Sequence, residues 1–353
     1  MAQKKSFNNL GGRIALTGGL QLRHFDSAND IVYGPGIYYG TTFPKSGTAG
    51  TTVFDGIGAR PGSFYCDTTN DVWFVNEGTA VSPYWTPVSF DQRGLLGWYT
   101  DFTKGTTGAL VDTTYIIETL GVPHAITETS VTMSDGIRVH GQGMDGTDAG
   151  LVVDFSATDG KGAIARLTSS ATDADLTCLS VGAGTVPVFQ PDQNGTMVID
   201  ALVTNVTSLA TKAVFVGFSG LGTAALPPLM TYATTVITNV AVDIAGLTWS
   251  SELTDNDEWF YVNFDVGAGG TLTTTSVDTG TAVAVAGTYQ RLRVEVDADG
   301  VMRTFIDKVL ESTSAAAAVD VDEELNPQLY IETSTAGAMV LDLRHFYTYG
   351  KRV

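Results

Sequence analysis

Residues 289–310 read YQRLRVEVDADGVMRTFIDKVL, and this stretch decides the fold. Leu292, Val294 and Val296 alternate with Arg291, Arg293, Glu295 and Asp297, a period that gives one strand an apolar face and a charged face. Ala298-Asp299-Gly300 breaks the alternation with a turn, glycine supplying the positive φ that other residues resist. Met302, Thr304 and Ile306 alternate back with Arg303, Phe305 and Asp307, and a second turn follows at Asp307-Lys308. Lysine disfavours positive φ, so that turn is expected to be longer than two residues. The acids from Glu295 to Asp299 read as a solvated strand end and turn.

The same pattern extends outward. Candidate strands fall at 136–140, 151–155, 163–167, 197–203, 214–218, 236–242, 259–266, 291–297, 302–306, 328–332 and 339–347. Asp145-Gly146, Asp159-Gly160, Asn194-Gly195 and Asp299-Gly300 supply turns between them. Residues 95–353 therefore read as one all-β domain, a two-sheet sandwich. The one helical suspicion is 314–325, where the alternation of Val319 and Val321 with acids argues nearly as well for loop and strand.

Composition agrees. Of 353 residues, 43% are hydrophobic and 16% charged, against a typical charged share of about 25%; short strands and tight glycine turns suit that balance better than helix bundles do. The net charge of −19 leaves no basic field for nucleic acid. The exception is local: Lys4, Lys5 and Arg13 all precede the first acid, Asp26, and read either as a solubilising tail or as an electrostatic anchor for an acidic neighbour. Cys66 and Cys178 are expected to be buried thiols. MAQKKSFNN has no apolar core of a signal peptide, and no apolar run reaches the ~18 residues of a membrane helix. Synthesis in a cytoplasm without membrane insertion is the expectation.

The chain divides into three. Residues 1–60 are glycine-rich, with short β-type fragments at 13–17, 20–24, 31–33 and 37–39 whose edges want pairing. Residues 61–94 form a small β module, with strands at 63–66 and 72–76, and Trp73, Val75, Tyr84 and Trp85 read as its aromatic core. The sandwich occupies 95–353.

Chemistry is sparse. His24, His124, His140 and His345 stand singly, and a lone strand histidine is more often structural than a ligand or base. No nucleophile, phosphate-loop or metalloprotease motif is present. A glycan platform is conceivable at Trp249, Trp259 and Tyr261 beside the acidic loop 252–258. The competing reading, sandwich core, is favoured because alternation puts Trp259, Tyr261 and Asn263 on one strand face. No catalytic, cofactor-binding or metal-ligating residue is expected.

Three passages carry a family resemblance: the 289–310 hairpin, LNPQLYIET at 325–333 and AMVLDLRHFYTY at 338–349. Together they resemble concanavalin-like jelly rolls of the lectin/laminin-G class, especially those of phage virion proteins. Laminarinase-like relatives place catalytic acids as E-x-D-x-x-E; here Glu295, Asp297 and Asp299 depart from that spacing, so no enzyme is implied. Tyr65, Asp67, Thr68, Val75, Asn76, Gly78, Thr79 and Ala80 form a pattern similar to segments of phage tail-fibre and head-fibre proteins. The resemblances imply a virion structural protein of the capsid-decoration (cement) or head-fibre kind. It would dock through its N-terminal region, with Lys4, Lys5 and Arg13 as docking candidates, on the major capsid protein or a neighbouring virion protein. A homotrimer is expected and no cofactor. The alternative is a tail fibre or receptor-binding protein whose sandwich binds a host-surface glycan.

Overall fold

The computed structural model describes residues 19–25, 31–47, 59–89, 93–100, 128–132, 137–142, 151–154, 164–169, 176–181, 188–205, 210, 212–220, 229–239, 243–265, 270–273, 278–314, 317–333 and 339–353. Among them the chain is all-β, with one helical turn at Pro191–Asn194. Four sheets stack as layers. At the centre is the expected two-sheet sandwich, made of two eight-stranded, antiparallel sheets.

The first central sheet contains β6 (Leu95–Thr100), β9 (Leu151–Asp154), β10 (Ile164–Thr168), β12 (Met197–Asn205), β20 (Gln290–Val296), β21 (Met302–Ile306), β22 (Val309–Thr313) and β24 (Val340–Lys351). Its order is β22-β21-β20-β12-β24-β10-β9, with β6 pairing the second half of β24. The second holds β7 (Glu128–Thr132), β8 (Ile137–Gln142), β11 (Leu176–Val181), β13 (Lys212–Ser219), β16 (Ile244–Ser250), β17 (Glu258–Phe264), β19 (Asp278–Val283) and β23 (Asn326–Thr333). Its order is β19-β17-β16-β13-β23-β11-β8-β7. Between the two lies the main core, with Ile199, Val214, Val216, Trp249, Trp259, Val294 and Leu329 among its members.

Each central sheet is also covered on its outer side. A three-stranded sheet of β14 (Met230–Ala233), β15 (Val236–Asn239) and β18 (Thr271–Thr273) lies over the second, burying Phe215, Met230, Ile237, Phe260 and Tyr330. A five-stranded sheet of β1 (Gly19–Phe25), β2 (Ile31–Gly40), β3 (Phe64–Asp67), β4 (Val72–Asn76) and β5 (Trp85–Pro87) lies over the first. There Tyr38, Tyr65, Phe74 and Trp85 pack against Val198, Tyr347 and Tyr349. The two N-terminal segments thus share one sheet, since β2 pairs in parallel with β3.

The hairpin is as its alternation predicts, with β20 and β21 antiparallel and Gly300 at φ 73°. The second turn is not: Ile306 pairs with Val309, so only Asp307 and Lys308 turn the chain, at φ 50° and 71°. This is the two-residue hairpin geometry with positive φ at both positions, adopted by a lysine in spite of its steric preference. Lys308 gains an ion pair with Glu77 at 3.0 Å in that position. None of the described residues in 314–325 is helical; Ala318, Val319 and Leu325 are buried as loop against the main core.

Candidate functional site

On β12, β20 and β24 successive residues face opposite sides. Ile199, Leu292, Val294 and Phe346 enter the sandwich core. The opposite row, Asp200, Arg291, Arg293, Glu295, Tyr347 and Tyr349, meets the five-stranded sheet and forms a buried ionic seam. The charged face of the first hairpin strand is therefore not solvated, correcting the sequence expectation for Glu295 and Asp297: with Arg293 they are at most 1% exposed, whereas Asp299 in the turn is solvated as expected. Alternation reported two faces correctly but carried no information about what covers the second.

Asp200, 0% exposed, is the hub. It receives Arg291 Nε at 3.0 Å, the Tyr347 hydroxyl at 2.8 Å and the Tyr84 hydroxyl, and it meets His345 Nε2 at 3.0 Å. Burial pushes its carboxyl up, but Arg291, His345 and Arg293 together outweigh this and hold it well below the usual carboxylate range. Arg291 also pairs with Glu77 at 3.0 Å, tying β20 to the loop after β4. Arg293 lies 4.2 Å from the Tyr84 ring centre, donates to the Trp85 carbonyl at 2.6 Å and pairs with Glu295. At the hairpin tip, Lys45 and Arg303 each reach Asp297 Oδ2 at 2.8 Å. Burial raises the Asp297 carboxyl as well, and these two cations again bring it below its ordinary value.

Asp200, Glu295 and Asp297 each already hold a cation and none of the three faces solvent. Glu295 accepts from the Ser46 backbone N–H at 3.2 Å and is closed over by the five-stranded sheet. The arrangement cannot admit a sugar between Glu295 and Asp297, which general acid–base glycoside hydrolysis needs. What it does is clamp: the inner face of the five-stranded sheet is fixed to the sandwich by hydrogen-bonded ion pairs and aromatic packing.

The clamp leaves the outer face of that sheet turned to solvent. Register places Ile37 beside Phe64 and Phe64 beside Val75, and in the next row Tyr39 beside Cys66 and Cys66 beside Trp73. Ile37 is 47% exposed, Phe64 41%, Tyr39 40% and Trp73 39%, with exposed Val88 following β5. No charged side chain interrupts the two rows. This corrects two expectations. Trp73 and Val75 belong to this outer face, whereas Tyr84 and Trp85 are buried at the seam. Cys66 is half-buried on the outer face, while Cys178 is buried; both are free thiols.

Of the residues singled out from sequence, Lys4, Lys5 and Arg13 lie outside the described residues. Trp249 and Trp259 are 0% and 1% exposed. Their indole N–H groups donate to the Asn256 carbonyl at 2.8 Å and to Gln290 Oε1 at 3.3 Å. Half-buried Tyr261 packs against both cores that flank its sheet. A stacking platform needs an open ring face; neither tryptophan offers one, which corrects the candidate platform. The convergence of Asp200, Glu77, Arg291 and His345 escaped sequence reading because they come from distant elements with no common spacing.

A second convergence joins Asp243, Asp265 and Asp320, whose carboxylate oxygens lie within 4.8 Å of one another. Asp243 is buried and the other two are exposed. Among the described residues, no helix is long and apolar enough to cross a membrane.

No family model matches this chain, and no curated protein matches it. Solved structures of similar fold include a protein of unknown function, SO2946, from Shewanella oneidensis MR-1, at 10% identity and TM-score 0.41, covering 73% of this chain and 87% of that one. The carbohydrate recognition domain of Emp47p is 8% identical with a TM-score of 0.40, covering 72% and 98%. Peanut lectin is 8% identical with a TM-score of 0.40, covering 72% and 97%.

Proposed function

We propose that this chain is a non-catalytic structural protein of a virion, of the capsid-decoration or head-fibre kind. It seats the outer face of its five-stranded sheet on the major capsid protein or a neighbouring virion protein and carries the sandwich on the opposite side. The observation that supports this reading is that face: large apolar side chains on a rigidly clamped sheet of a chain with net charge −19. A contiguous apolar face on a soluble protein marks an interaction surface, and large aromatic anchors such as Trp73, Tyr39 and Phe64 are the residue types that dominate binding energy. The acidic remainder resists non-specific adhesion. The virion setting rests on the likeness of the segment from Tyr65 to Ala80 to phage fibre proteins.

The test compares the wild-type chain with the double variant Phe64→Glu, Trp73→Glu for co-sedimentation with undecorated capsids of the parent virus. Both positions face solvent, so thermal stability is expected to hold within about 1 kcal/mol. Capsid binding is expected to fall at least tenfold. Undiminished binding by a folded double variant overturns the assignment of this face.

A further inference from the structure

At one end of the seam five elements that are distant in sequence enclose a cavity of about 350 Å³. Its walls come from the segment after β2 (Thr42, Phe43), the β3–β4 turn (Asn70), the helical turn (Gln193), the hairpin tip (Asp299) and β24 (Lys351). We infer that this cavity is a binding site for a monosaccharide-sized polyol carrying one carboxylate, such as a uronic acid.

Three facts carry the inference. The first is that the walls are held in place by groups behind them. Buried Asp67 accepts from the Thr69 and Asn70 backbone N–H groups at 2.9 and 3.2 Å and from the Asn70 side-chain amide. The Tyr65 hydroxyl donates to the Thr42 carbonyl at 2.9 Å. The Asn194 amide, in the helical turn, donates to the Lys351 carbonyl at 2.8 Å, and Lys45 ties the segment after β2 to Asp297 below the hairpin tip. Each wall is thus fixed before a ligand arrives, the condition under which a few polar contacts give specificity.

The second is the size. At roughly 30 Å³ per water-sized unit, the cavity holds about a dozen heavy atoms, the size of one sugar ring with its substituents.

The third is the chemistry of the lining. Threonine hydroxyls and the amides of Asn70 and Gln193 both donate and accept, as hydroxyl groups of a ligand require, and buried Phe43 offers an apolar patch. Lys351 takes part in none of the ion pairs among the described residues, so its ammonium is available to one anionic group. Asp299, 82% exposed at the rim, and Asp192 oppose a multiply charged phosphate ester. No open aromatic pair is present for a nucleobase.

The inference is independent of the virion reading and is tested on the full-length protein without capsids. Glucuronate, glucose and acetate are titrated separately, followed by calorimetry and by backbone amide shifts. Glucuronate is expected to saturate with a Kd on the order of 1 mM, as suits a ligand of this size, with shifts at Asn70, Gln193 and Lys351. Lys351→Gln should weaken glucuronate at least fivefold and leave glucose unchanged. Gln193→Ala should weaken both sugars, and Trp73→Ala, on the outer sheet face, should weaken neither. Circular dichroism and melting confirm that each variant is folded. The inference is overturned by the absence of saturable sugar binding, by acetate binding as tightly as glucuronate, or by sugar binding that survives both cavity variants.

Discussion

Asp200 concentrates the physics of the seam at a single atom pair. Its carboxylate is fully buried yet ionised, because Arg291, His345 and two tyrosine hydroxyls replace the water it has lost. Asp200→Asn keeps the shape and removes the charge, leaving buried arginines without their main counter-ion. Breaking a buried pair costs about 3–5 kcal/mol; the low end is expected because Arg291 retains Glu77 and Arg293 retains Glu295. Chemical denaturation of the two proteins at neutral pH measures it. The pH dependence follows from the direction of the shifts. The Asp200, Asp297 and Glu77 carboxyls are all lowered in the folded state, so they bind protons less readily than in the unfolded chain. Their contribution is complete above the unfolded values of about 4 and is lost as pH falls through the folded ones. Burial raises the half-buried Glu311 and Glu323, which act in the opposite sense but hold no ion pair in the seam. Stability should therefore fall steeply below about pH 4, and the slope should be shallower in Asp200→Asn. Equal acid slopes would show that Asp200 is not a principal proton-linked group.

At the scale of elements, the covering of both outer faces decides what a sequence reader can and cannot see. The alternating strands β20, β21 and β24 were legible within a residue or a few, because charge on one side and aliphatics on the other survive even when the charged side is buried. β11 and β16 were not among the candidate strands: every side chain of Leu176–Val181 and Ile244–Ser250 is buried, so neither alternates. Gly246 has a physical reason. It faces Gly217 across β13 and β16, and the Phe215 ring lies over both, so that a Cβ at Gly246 would stand 2.4 Å from the ring and 2.7 Å from the Val216 carbonyl. The ring is itself stacked on Tyr330 at 5.3 Å and has little room to retreat. Gly246→Ala should cost about 1–3 kcal/mol, the usual range for overpacking. Gly287→Ala is the control: its backbone has φ 74° but nothing lies within 4 Å of an added Cβ, so only conformational strain of about 1 kcal/mol is expected. Melting of the two variants distinguishes the effects, and a neutral Gly246→Ala would mean that the outer layer repacks freely.

At the scale of the whole molecule, the seam converts a small N-terminal sheet and a large sandwich into one stack. The N-terminal sheet has few strands and one exposed apolar face, and its other face is buried against the first central sheet, with Leu95 of β6, Val198 of β12 and Tyr347 and Tyr349 of β24 in the shared core. The sequence contained the parts of this arrangement, Trp85 beside Tyr84 and arginines alternating with acids, but not their meeting, because Trp85 and Arg293 are 208 residues apart. The sheet should accordingly melt with the sandwich as a single cooperative unit. Trp85 is the residue on which that coupling turns: it is buried, its ring centre lies 5.8 Å from that of Tyr65, and its carbonyl accepts from Arg293. Trp85→Ala removes the largest side chain at the junction and should cost about 3–5 kcal/mol. The loss falls on the contact between layers, whereas the main core, with Trp249 and Trp259, is untouched. In the wild type, tryptophan fluorescence and far-ultraviolet circular dichroism should therefore report one transition. In Trp85→Ala the N-terminal sheet should separate first, giving an early change in amide shifts of β3 and β4 while the indole signals of Trp249 and Trp259 persist to a higher temperature. A Trp85→Ala protein that still melts in one step at a lower temperature would place the cooperativity in the ion pairs of Asp200 and Arg293 rather than in the aromatic packing beside them.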